Sequence, residues 1–212
     1  EVSVSKDEMQ EVMNYRSALY FALGKMSTIS DDSEEGRHKL PLSVRLIKEM
    51  HKILLDNVRG QNKSPGEFKT EQNYIGNSAE ITFTPLPPEL TQDYMANFEQ
   101  YIHFDEVDLL VQAALIHCQF EMIHPFKDGN GRIGRLLIPL FLYYREMLPV
   151  PTFYMSAYFE KDRTMYLEKL SAVSQKNDYA TWIKYFLEGV IQQAEINTLK
   201  AKALLDRYNE FK

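Results

Sequence analysis

The sequence predicts an all-α protein, mainly a helical bundle around one central buried helix, with a short β-hairpin as its extended element. Three observations lead there. Apolar residues recur at helical spacing through most of the chain, as in Leu46, Ile47, Met50, Ile53 and Leu54. Leu136 to Leu148 is almost wholly apolar and aromatic, the composition of a helix buried on all sides. Gly60, Pro65, Gly66, Gly76, Pro85 and Pro87 break any long periodicity between positions 59 and 87, leaving room there only for short strands.

Ser5 with Glu8 forms a capping box, and Met9, Val12, Met13, Ala18, Leu19, Ala22 and Leu23 continue a helix to about Lys25. The acidic stretch from Ser27 to Lys39 reads as an exposed loop. A second helix is predicted from about Leu42 to Val58, with His51 among lysines on its outer surface. Asn73 to Gly76 and Glu80 to Thr84 predict two short strands around a turn. Pro87 and Pro88 open a third helix through Leu90, Tyr94, Met95, Phe98, Tyr101 and Ile102. A fourth runs from about Glu106 towards His124. On it His117 reads as a packed helix histidine, since no cysteine or carboxylate completes a zinc set, and Glu121 reads as structural.

The stretch His124-Pro125-Phe126-Lys127-Asp128-Gly129-Asn130-Gly131-Arg132-Ile133-Gly134-Arg135 gathers chemistry where a loop becomes the central helix. Pro125 disfavours helical geometry at His124, leaving on a loop the side chain best matched to proton transfer near neutral pH. A Gly129-Asn130-Gly131 turn lets backbone N–H groups converge on an anion, and the N-terminus of the following helix points at the same spot. Arg132 and Arg135, three apart, share a helix face from which they can pair with phosphate oxygens. Asp128 supplies one carboxylate, which with substrate phosphates suits Mg²⁺. Together these residues are equipped to handle a polyphosphate.

The run resembles the Fic-family signature H-P-F-x-D/E-G-N-G-R-x-x-R, with every fixed position filled. The resemblance implies a mostly helical fold and transfer of AMP from ATP to a Tyr, Thr or Ser hydroxyl of a target protein, with self-modification as a variant. It implies that His124 is the base, that Asp128 holds the metal, and that Gly129, Asn130, Gly131, Arg132, Gly134 and Arg135 bind the nucleotide. Ser64 to Thr70 and Asn73 to Gly76 resemble the family's approach to a β-hairpin flap, about 73–86, which covers the site and holds the target's backbone by strand pairing. Tyr74, Ile75, Gly76 and Thr84 are the implied target contacts, although Lys69 and Tyr74 stand where the family more usually has Arg and Trp. In relatives the stretch matching Tyr158 to Ser174 helps form the adenine side of the pocket, which makes Tyr166 and Leu170 candidates.

After the central helix, ended by Pro149 and Pro151, a helical stretch follows Ser156 to Ser174 and another runs from Ala180 to Ala194 around Trp182, Tyr185 and Phe186. The Fic domain is assigned to residues 1–196, and 197–212 to an amphipathic helical extension or linker. Many Fic proteins carry an inhibitory S/T-x-x-x-E-G/N helix. Ser30 with Glu34, and Asp31 with Glu35 and Gly36, match that pattern incompletely, so the expectation places such a helix upstream of Glu1.

The 212 residues suffice for one domain with a full core, and 44% hydrophobic with 25% charged content is that of a globular protein. A net charge of −6 speaks against direct nucleic-acid contact. The lone Cys118 cannot form an internal disulfide and suits a reducing cytoplasm. Neither a signal peptide nor a membrane-length apolar segment is visible, so no membrane partner is expected. ATP and a hydroxyl-bearing protein are the expected partners, and self-association stays open. Three readings stand beside AMP transfer: Fic-type transfer of another phosphate-containing group, a nucleotide-binding interaction module without turnover, and a DNA-binding regulator with a further domain.

Overall fold

The computed structural model describes residues 5–26, 40–57, 62–76 and 81–211. The acidic stretch and both partial inhibitory matches lie outside these residues. Among the described residues the fold is all-α apart from one two-stranded hairpin.

Helix α1 spans Lys6–Met26, and its capping box forms as expected: Ser5 Oγ accepts from the Glu8 N–H at 3.2 Å, and Glu8 accepts from the Ser5 N–H at 2.8 Å. Its buried face differs from the predicted one. Asn14, Ala18, Leu19, Ala22 and Met26 are buried, while Met9, Val12 and Met13 stay exposed. Asn14 sets the rotation by donating to the carbonyl of Asp56, at 2.6 Å, just past helix α2 (Val44–Leu54). Helix α2 is shorter than predicted at both ends. Ser43 caps it by accepting from the Leu46 N–H at 3.3 Å, and Leu55 ends it.

The hairpin pairs β1 (Ile75–Gly76) antiparallel with β2 (Ile81–Phe83), placing Ile75 opposite Phe83. These strands are shorter than the sequence suggested, and Thr84 lies past the end of β2. Helix α3 (Pro88–Ile102) starts at its proline as predicted. Helix α4 (Leu109–Ile123) starts after Asp108, whose side chain accepts from the N–H groups of Leu110 and Val111.

Helix α5 (Asn130–Tyr144) is the buried centre, with Ile133 and every residue from Leu136 to Leu142 buried. It lies against α4, α1 and α2. It stops at Tyr144 rather than Leu148, because Glu146 turns to positive φ before the prolines are reached. The stretch beyond is two helices, α6 (Ser156–Lys161) and α7 (Arg163–Lys176), divided at Asp162, which caps α7 by accepting from the Met165 N–H. The last two predicted segments merge into one helix, α8 (Tyr179–Glu210), because no Gly or Pro interrupts residues 190–210. Its first half packs Trp182, Tyr185 and Phe186 into the core; Leu199, Leu204, Leu205 and Tyr208 remain exposed.

Candidate active site

The loop between α4 and α5 is held from behind. Lys69 donates its backbone N–H to Pro125 O at 2.8 Å and its ammonium to Ile123 O at 3.0 Å. Asn73 donates to His124 O at 3.2 Å and Phe126 O at 2.9 Å, and also accepts from the Lys69 ammonium. Asn130 turns its side chain inward, accepting from Phe126 N–H at 2.8 Å and donating to Phe126 O at 2.7 Å. The loop's carbonyls are therefore consumed by the scaffold. The N–H groups of Asn130, Gly131 and Arg132 precede the first intrahelical bond of α5, from Ile133 N–H to Gly129 O, and are what the helix start offers an anion. Gly129 makes the turn at φ 76°, a conformation that favours glycine.

His51 overturns its predicted surface placement. It is fully buried, stacks on Phe126 with ring centroids 3.8 Å apart and planes within 8°, and its Nε2 lies 2.8 Å from Asp128 O. Gly66 N–H donates to its Nδ1 at 2.7 Å, so Nε2 carries the proton and donates to Asp128. A helical count places His51 among lysines; only the docking of the motif loop on α2 reveals its apolar neighbours.

A cavity of about 500 Å³ opens over this loop. His124, Asp128, Gly129, Asn130, Gly131, Arg132 and Arg135 all line it, joined by Tyr74 and Ile75 from the hairpin and by Tyr166 and Leu170 from α7. Thr84 and Gly134 do not line it. Gly134 faces α4, where its carbonyl accepts from His117 Nδ1–H at 2.9 Å and a methyl in its place would collide with Glu121 Oε1. Tyr166 is only 8% exposed, and its hydroxyl donates to His117 Nε2 at 3.0 Å, so it bounds the cavity as a core ring. His117 is the packed histidine that the sequence predicted, stacked on Phe159 at 5.1 Å.

His124 ends α4 in a left-handed conformation, at φ 49° and ψ 61°. Its Nδ1 lies 3.2 Å from the carbonyl of Glu121 and donates to it, which leaves Nε2 with the lone pair. Burial first, then the charge of Lys69, pull the imidazole down to about 4, so it is neutral at pH 7 and able to accept a proton. Arg132 Nη1 lies 3.3 Å from Glu11 and its Nη2 3.8 Å from Asp128, while Arg135 lies 3.8 Å from Glu160. These contacts, at or beyond usual hydrogen-bond lengths, leave both guanidiniums free to exchange carboxylates for phosphate. Glu11, Glu160 and Arg163 also line the cavity: the last two fall in the stretch from Tyr158 to Ser174 without being singled out there, and Glu11 reaches it from α1 with no local signal.

Among the described residues no three His, Cys, Asp or Glu side chains converge as a metal site. Asp128 fits a more limited role. Its partly exposed carboxylate accepts from Gly129 N–H at 2.6 Å and lines the cavity, able to share a hard cation with substrate phosphates and water.

Residues 41–142 match the family model described as Fic/DOC family. The protein adenylyltransferase fic-1 of Caenorhabditis elegans is 30% identical over 146 residues, covering 68% of this chain and 26% of the relative. A probable protein adenylyltransferase of Aquifex aeolicus is 30% identical over 130 residues, covering 58% of this chain and 39% of the relative. The chain thus spans well under half the length of these curated relatives. A Fic family protein of Desulfovibrio desulfuricans superposes with a TM-score of 0.75 at 21% identity, over 95% of this chain and 56% of that one. Residues 134–508 of C. elegans Fic-1 give 0.69 at 24%, over 95% and 55%. These likenesses establish the shared fold.

Proposed function

Because this chain carries a domain of the Fic/DOC family, we propose that it is a protein adenylyltransferase, moving AMP from ATP to a Tyr, Thr or Ser hydroxyl of a protein target. The observation that carries this reading is the meeting, in one cavity, of a neutral His124 with the start of α5 and the two guanidiniums of Arg132 and Arg135. His124 Nε2 takes the hydroxyl proton while that oxygen attacks the α-phosphorus. The new O–P bond forms as the bond from the α-phosphorus to the bridging oxygen breaks, and the electron pair leaves with pyrophosphate. The N–H groups of Asn130 and Gly131 and the two arginines stabilise charge on the transferring and departing phosphates.

Asp128 would hold Mg²⁺, which screens the polyphosphate when bound. That Tyr74 and Ile75 line the same cavity supports a reading in which a target backbone pairs with the hairpin, and the presence of Leu170 and Tyr166 in the lining supports an apolar wall for adenine. The free, buried Cys118 supports a reducing, cytoplasmic setting. No helix among the described residues is long and apolar enough to cross a membrane.

The test is the intact mass of the chain and of lysate proteins after incubation with Mg²⁺ and ATP. A gain of one AMP by chain or target, reduced about 10²- to 10⁴-fold in His124→Ala while ATP still binds, is the expected result. Wild-type transfer by His124→Ala overturns the assignment of the base. ATP binding without any transfer favours an interaction module.

A further inference from the structure

Glu121 is the least explained group in the cavity. It is 6% exposed, one turn before His124 on the same face of α4, and its Oε1 has no hydrogen-bond partner. Leaving a buried carboxyl oxygen unpaired is destabilising, so a packing role alone would be better filled by Leu or Gln. The fold makes room for it, since Gly134 leaves clear the space that a methyl would share with Oε1. The other carboxyl oxygen, Oε2, lies 3.6 Å from His124 Nδ1, the nitrogen that already donates to the carbonyl of Glu121 itself.

We propose that Glu121 is a positioning residue for His124: its carbonyl fixes the ring tautomer, and its carboxylate is the counter-charge for the imidazolium formed in the transfer. The inference rests on the adenylyl-transfer reading. When the target's O–H proton moves to Nε2, a full positive charge appears in a buried site. A fixed negative oxygen beside Nδ1–H stabilises that state more than the neutral one, which is how a positioned group lowers a barrier. No bond at Glu121 forms or breaks; it only accepts from Nδ1–H.

The charged and titratable groups around Glu121 are Cys118 on α4, His124 at the end of that helix, Arg135 on α5 and Tyr166 on α7. Lys69 adds its charge to His124 through its seat on Ile123. Arg135 favours the ionised carboxylate, but burial outweighs it and lifts the carboxyl to about 7. The effective form therefore increases as pH rises through neutrality.

The test uses the intact chain with Glu121→Gln, which keeps shape and carbonyl while deleting the charge, and Glu121→Asp, which keeps the charge on a shorter arm. In Glu121→Gln, kcat falls about tenfold or more at pH 8 with KM for ATP within threefold, and the rise of kcat through neutral pH disappears; Glu121→Asp retains that rise. NMR of the His124 ring, read against pH without nucleotide, shows in the wild type a step near neutrality as the neighbouring Glu121 carboxyl ionises, and Glu121→Gln abolishes that step. A wild-type ring with no step near neutral pH, or an equal loss of kcat at every pH with the rise retained, overturns the proposal and leaves a packing role. If the wild type transfers no AMP while the neutral-pH step is present and lost in Glu121→Gln, the adenylyl reading fails and the coupling of Glu121 to His124 stands. Should Glu121→Gln not fold, Glu121→Asp carries both readouts: a step moved to a different pH supports the coupling and a step left where it was overturns it.

Discussion

His51 Nε2 lies 2.8 Å from the carbonyl oxygen of Asp128, tying the middle of α2 to the turn before α5 across 77 residues of sequence. Its other nitrogen accepts from Gly66 N–H, and its ring stacks on Phe126. One buried imidazole thus fixes the turn, the anchoring phenyl and the start of the hairpin arm. His51→Ala removes all three contacts and opens a cavity, so unfolding in urea should show a loss of about 2–4 kcal/mol. AMP transfer should fall with it. Unchanged stability would mean that the loop is held by Lys69, Asn73 and Asn130 alone.

Lys69 places a buried ammonium on Ile123 O and Asn73 Oδ1. Burial draws its pKa down to about 8, leaving it largely charged at pH 7. Lys69→Met keeps most of the stem but orphans both acceptors, a cost of about 1–3 kcal/mol in unfolding. Because the lysine's charge helps depress His124, the same variant should shift the His124 titration to higher pH. A downward shift would contradict this electrostatic account.

Gly134→Ala forces a methyl into Glu121 Oε1. Overpacking of this kind costs about 1–3 kcal/mol, visible as a lowered melting temperature. The double variant with Glu121→Ala should be more stable than the sum of the two single changes predicts. Strict additivity would show that the crowding is relieved elsewhere.

His51, His117 and His124 are each held down to about 4, chiefly by burial. Unfolded, they titrate near ~6.5, so between roughly 6.5 and 4 the unfolded chain binds more protons and stability is lost as pH falls. Each contributes at most about 1.4 kcal/mol per pH unit across that window. Glu121 acts in the opposite sense, because its carboxyl, raised to about 7, binds a proton in the folded state that the unfolded chain releases at lower pH. Three imidazoles outweigh one carboxyl, so the urea midpoint should drop between pH 6.5 and 5. A flat profile over that range would refute the buried, neutral state of these rings.

By itself the sequence determined the all-α class, the buried central helix and the twelve-residue motif, because these are local. Helical periodicity, the Ser5 and Glu8 cap, and the proline and glycine positions around His124 act within a few residues of themselves. It also identified the residues that gather around the cavity from the motif, from His124 to Arg135, with Gly134 as the exception that turns inward. Tertiary structure alone decided the rest. Whether His51 faces solvent depends on what docks against α2; whether Tyr166 offers its hydroxyl to a ligand depends on His117 having taken it. Glu11 and Glu160 meet the arginines from distant helices. Glu121 changes from a structural helix residue to a buried carboxyl 3.6 Å from the His124 ring because Gly134 leaves room for it where α5 packs on α4. Periodicity records which side of a helix is apolar; the partner that covers that side sets the charge, protonation and reach of each polar group on it.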